Sequence, residues 1–144
     1  MNIEQANQII QQTVDQLNLD YGGCLFDEWA LVEFRKGKSD LLLYSGPRKA
    51  SFLTQLPTDM AALSHSFRDG TLLQLGEYDF ARNATGSQID AAACVGKNIY
   101  LLFNNMTVAM ADICKNERWL GAQQTFFSLC ERFRSDPVSL THQM

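Results

Sequence analysis

A chain of 144 residues with a formal net charge of −4 fits one domain that can bury a single core without disulfides or a metal. The mild acidity argues against non-specific nucleic-acid binding, which takes a basic surface, and against attraction to an anionic membrane face. The first residues are acidic and Gln-rich where a leader would be basic and then apolar. Every apolar run falls short of a bilayer-spanning length, so a cytoplasmic protein is expected.

Residues 2–19 put Ile3, Ala6, Ile9, Ile10, Val14 and Leu17 on one helical face, with Gln and Asn filling the other. Asn2 is placed as the N-cap with Gln5 as its capping-box partner, and Gly22-Gly23 should stop the helix. A β region follows. Residues 24–26 and 30–34 are apolar and rich in β-formers, Arg35-Lys36-Gly37-Lys38-Ser39 is a charged turn, and 40–44 form the return strand. Residues 50–56 read either as a helical turn or as a further extended piece; the extended reading is preferred because Pro47 and Pro57 fence them.

From Thr58 a second helix is expected, carrying Met60, Ala61, Leu63, Ser64 and Phe67, with Leu72, Leu73 and Leu75 as an irregular continuation. Three strands are then expected: 76–82, 91–95 running on into 98–103, and 108–114. Their turn signals fall at 83–86, at 96–98 and at Asn104-Asn105. The last helix spans 117–134, with Leu120, Gln123, Phe127 and Cys130 on one stripe and Phe126, Leu129 and Phe133 beside it. Asp136-Pro137 ends it, leaving 1–137 as one domain and 138–144 as a flexible tail. The fold class is α+β, a single antiparallel sheet of about five strands with helices on its faces. The element order is helix-strand-strand-helix-strand-strand-strand-helix.

Chemistry is sparse. Cys24, Cys94, Cys114 and Cys130 form no C-x-x-C pair and read as free, buried thiols. His65 and His142 have no signature that brings either to a thiol. Glu77 and Asp79 share a strand face and read as solvated rather than metal-binding. No glycine-rich phosphate loop and no nucleophile elbow occurs, so no catalytic residue, metal or cofactor is expected. What stands out is apolar surface on the second helix and alternating aromatics on the strand 76–82, a pattern suited to a self-complementary dimer.

The helix opening Thr58-Asp59-Met60-Ala61-Ala62-Leu63, the entry Leu75-Gly76-Glu77, the strand 78–82 and the pair across 95–103 resemble the roadblock/dynein light chain family. The resemblance is to its bacterial members that regulate small Ras-like GTPases in gliding motility. The pattern departs from that family at Glu28-Trp29, in the long segment 35–56, and at Met106-Thr107. The resemblance implies a non-enzymatic homodimer that pairs through the second helix and third strand and offers a platform to a GTPase. By position it makes Met60, Leu63, Ser64, Phe67, Tyr78, Phe80 and Arg82 the dimer and partner interface. Two alternatives stand beside it: a secretion-chaperone-like dimer holding an extended polypeptide, and a small-molecule sensor or enzyme with an unrecognised pocket.

Overall fold

The computed structural model describes residues 1–65, 72–74 and 88–140. Helix α1 (Ile3–Tyr21) opens on the expected capping box. The Gln5 N–H donates to Asn2 Oδ1 at 2.9 Å, and the Asn2 N–H donates to Gln5 Oε1 at 3.0 Å. The helix stops at the left-handed Gly22. Residues 24–26 are not a strand. Asn18 Oδ1 accepts the N–H groups of Leu25 (2.8 Å) and Phe26 (3.1 Å), so a side chain satisfies the backbone there in place of a ladder.

Strands β1 (Glu28–Arg35) and β2 (Lys38–Ser45) form a hairpin. Its two-residue turn has Lys36 and Gly37 both at positive φ (55° and 76°), the twist that suits adjacent antiparallel strands. Helix α2 then runs Lys49–Leu63, so the segment expected to be extended is helical and Pro57 lies inside the helix. Phe52, Leu56, Met60 and Leu63 recur at helical spacing and are all buried, and that burial overrides the local bias of the two prolines. Pro57 and Leu53, one turn apart, are exposed, which leaves the Leu53 carbonyl, deprived of its donor, open to water.

Residues 72–74, expected to extend a helix, form strand β3 (Leu72–Gln74) against β4 (Ala91–Gly96). Strands β4 and β5 (Ile99–Asn104) make a second hairpin, with Asn98 at φ 61° in its turn. The stretch 108–114 was expected to be a strand and instead contains the short helix α3 (Met110–Cys114). Asn105 Oδ1 accepts the N–H groups of Thr107 and Val108, both at 2.9 Å, which turns the chain out of the sheet. Helix α4 (Trp119–Ser135) closes the fold.

The result is α+β: one open antiparallel sheet in the order β2-β1-β5-β4-β3. Side chains alternate between its two faces. Trp29, Leu31, Ala93, Val95, Leu101 and Phe103 pack beneath α1 and α4. Ala30, Val32, Ala92 and Leu102 pack beneath α2. Both faces are therefore covered by the chain's own helices. Val138 was assigned to a flexible tail, yet it is buried: its N–H donates to Val95 O at 2.8 Å, and the Ser139 N–H donates to Met1 O at 2.8 Å. No described helix is long and apolar enough to cross a membrane.

Candidate functional site

Among the described residues helix α2 lies alone on its side of the sheet, and its two faces differ sharply. The inner face buries Phe52, Leu56, Asp59, Met60 and Leu63. It rests on Ala30 and Ala92, whose small side chains let the helix approach the strands closely. The exposed residues are Lys49 in the first turn, Ser51 beside it, and then Ala50, Leu53, Thr54, Pro57, Thr58 and Ala61 along an outer face that carries no charge past Lys49. The exposed residues of α1 differ in kind; they include Glu4, Gln8, Gln11, Gln12 and Asp15.

This corrects the expected site. Met60 (0 % exposed) and Leu63 (2 %) are core residues of the chain itself rather than surface for a second one. Ser64 is half-buried at the end of α2, where its N–H donates to Met60 O at 2.9 Å and its hydroxyl to Ala61 O at 3.2 Å. Phe67, Tyr78, Phe80 and Arg82 lie outside the described residues, as do Glu77, Asp79 and His142.

Where the first turns of α2 meet the end of the sheet there is a cleft of about 370 Å³, lined by Ser51, Gln55, Asp59, Glu28, Asp90 and Asn104 among others. Its polar groups were missed in the sequence. Glu28 is 2 % exposed; its Oε1 accepts from Asn104 Nδ2 at 2.7 Å and its Oε2 accepts the Tyr44 hydroxyl. Asn104 Oδ1 accepts the Asp90 N–H at 3.0 Å, and Asp90 Oδ2 accepts the Asn105 N–H at 2.8 Å. Asn105 Nδ2 reaches back to Leu25 O at 2.9 Å. Asp59 Oδ1 accepts the Gln88 N–H at 2.7 Å and so ties α2 to the start of β4.

These carboxylates brace the backbone. Both oxygens of Glu28 are engaged, and Asp59 and Asp90 each accept a main-chain N–H, so the cluster joins β1, β4, β5 and α2 at one end of the sheet. Tyr44 is pushed up to about 12, first by burial and then by its bond to Glu28. The one sequence signal for this network was the pair Asn104-Asn105, which had been read only as a turn.

Neither Cys24 nor Cys130 is an activated thiol. Cys24 is exposed, against expectation, and its pKa is raised by partial burial and by the Asp27 carboxylate. Cys130 is half-buried, and burial pushes it up to about 12. Both point away from thiolate chemistry at neutral pH. Among the described residues no group of three or more His, Cys, Asp or Glu side chains is placed to hold a metal.

Set against known proteins, the chain finds no match: no family model, no curated protein and no solved structure corresponds to it.

Proposed function

We propose that this chain is a non-enzymatic, homodimeric interaction protein that binds and modulates a small Ras-like GTPase or a related signalling partner. The observation that carries the dimer is the outer face of α2. An exposed helix of a monomer normally sets charge against water along its length, whereas past Lys49 in the first turn Ala50, Leu53, Thr54, Pro57, Thr58 and Ala61 offer a small, uncharged surface on which a second helix can sit closely. The seam therefore runs along this outer face rather than along the inner Met60 and Leu63 face that the resemblance pointed to. The helix is about 22 Å long at 1.5 Å per residue. One such helix pair falls short of the roughly 800 Å² per partner of a stable interface, so the dimer needs further surface beside α2.

The GTPase as partner rests on the roadblock resemblance, with its five-strand sheet and element order. Affinity capture with this chain as bait, with a GTP analogue or with GDP, tests it. Nucleotide-dependent recovery of a Ras-like protein supports the reading, and nucleotide-independent capture of an extended secreted polypeptide favours the chaperone alternative. A small-molecule sensor is the second reading, favoured by the cleft at the start of α2. Filling that cleft by Ser51→Trp separates the two, because it removes a small-molecule site and leaves the outer α2 face intact.

A further inference from the structure

At the far end of the sheet from the carboxylate network, two hairpin tips stand side by side. Arg35, Lys36 and Lys38 belong to the β1–β2 tip and Lys97 to the β4–β5 tip; all four are exposed. Together they are four of the chain's 12 basic residues, in a protein of net charge −4. The backbone fixes their arrangement. Arg35 pairs with Lys38 across β1–β2, and the Phe34 N–H donates to Asn98 O at 2.8 Å, stitching the first tip to the second. None of the four enters a salt bridge among the described residues.

Beside them lies a groove of about 370 Å³ between the hairpin tips and the docked segment after α4. Arg35, Lys97, Asn98 and Ser139 bring hydrogen-bond donors to it, and Ile99 and Val138 give it an apolar floor. Among the described residues the carboxylates at this end are Glu33, which lines the groove, is 5 % exposed and is already engaged, and Asp40, its register partner on β2. The balance of these six side chains is positive.

We infer that this groove binds a short acidic polypeptide segment carrying an apolar residue. The dimensions favour it. Strands lie about 4.8 Å apart, so the row from Lys38 through Arg35 to the Lys97 turn spans roughly 10 Å. Carboxylates on alternate residues of an extended chain recur about every 7 Å, which lets two of them meet this row at once. Leu140, half-buried at the margin of the groove above the covered Ile99 and Val138, gives one apolar side chain a surface to pack on. A nucleic acid needs a broader basic surface, and the acidity of the rest of the chain repels a long polyanion. The surface is on the monomer and does not depend on the α2 seam.

Fluorescence anisotropy on the full chain tests this with a labelled synthetic peptide of glutamates around one central leucine. The expected result is binding that weakens about tenfold between low salt and about 0.5 M salt. The glutamine analogue should bind at least about tenfold more weakly, and K38E and K97E should each lose about as much. K97A, a milder change at an exposed position, should lose a smaller part with unchanged circular dichroism and Tm. Absence of binding, equal binding of the glutamine analogue, unchanged affinity in the variants, or preference for a single-stranded oligonucleotide overturns the inference.

Discussion

Glu28 and Asn104 face each other as register partners across β1 and β5, and Asn104 Nδ2 donates to Glu28 Oε1 at 2.7 Å. Seventy-six positions apart in the chain, they meet only because the sheet brings the first strand beside the last. Burial makes the bond consequential, since Glu28 is 2 % and Asn104 6 % exposed and each loses its direct partner if the other is removed.

Removing one side of this network should cost stability out of proportion to the atoms removed. Asn104→Ala strips a donor from Glu28 and an acceptor from the Asp90 N–H, an expected loss of about 2–4 kcal/mol in urea unfolding. Tyr44→Phe should cost about 1–2 kcal/mol. The double variant should lose less than the sum, because both single changes act through the same carboxylate. Strict additivity would contradict a shared network.

Alkaline stability should depend on two buried groups. Tyr44 rises from 10.0 to about 12 and Cys130 from 9.0 to about 12 on folding, chiefly through burial. The folded state holds each proton longer than the unfolded chain does. Their contributions are thus intact below the unfolded values and are lost as pH climbs through about 12. A Tm series from pH 9 upward should show the fall, and Tyr44→Phe should flatten it. A variant that parallels the wild type throughout removes Tyr44 from this account.

The end of the chain should be sensitive to a single methyl group. A Cβ on Gly96 would lie 2.4 Å from Val138 O and 3.2 Å from Ile99 Cδ1, and the first of these is backbone that has to move. Gly96→Ala is expected to cost about 1–3 kcal/mol. Hydrogen exchange should show the Val138 and Ser139 amides, now bonded to Val95 O and Met1 O, losing protection. Retained protection would mean that the segment adapts without leaving its seat.

Much of this fold was legible in the sequence. Helix α1 announced itself through Asn2, Gln5 and a clean apolar stripe, and α4 through Phe126, Leu129 and Phe133, because an amphipathic helix needs only local information. The β1–β2 turn was legible for the same reason. Helix α2 was not: Pro47 and Pro57 signal a break, and only the sheet supplies the burial that carries the helix through Pro57. Met60 and Leu63 were misplaced because an apolar stripe reads the same whether it meets the chain's own sheet or a second protomer. The carboxylate network was invisible since its members are joined by register rather than by spacing.

The inner and outer faces of α2 should answer differently to substitution. Leu63→Ala removes a core side chain and should cost about 2–5 kcal/mol. Leu53→Glu, at a position 42 % exposed, should change monomer stability by no more than about 0.5 kcal/mol. A Leu53→Glu chain that unfolds at the Leu63→Ala midpoint would place Leu53 in the core instead.

The central claim is a dimer seated on the outer face of α2, and the mass in solution tests it most directly. Size-exclusion chromatography with light scattering at micromolar concentration should give about twice 16.2 kDa for the native chain and the single-chain mass for Leu53→Glu. A native chain at 16.2 kDa contradicts the dimer. A Leu53→Glu chain that remains dimeric places the seam somewhere other than the face of Ala50, Leu53, Pro57 and Ala61.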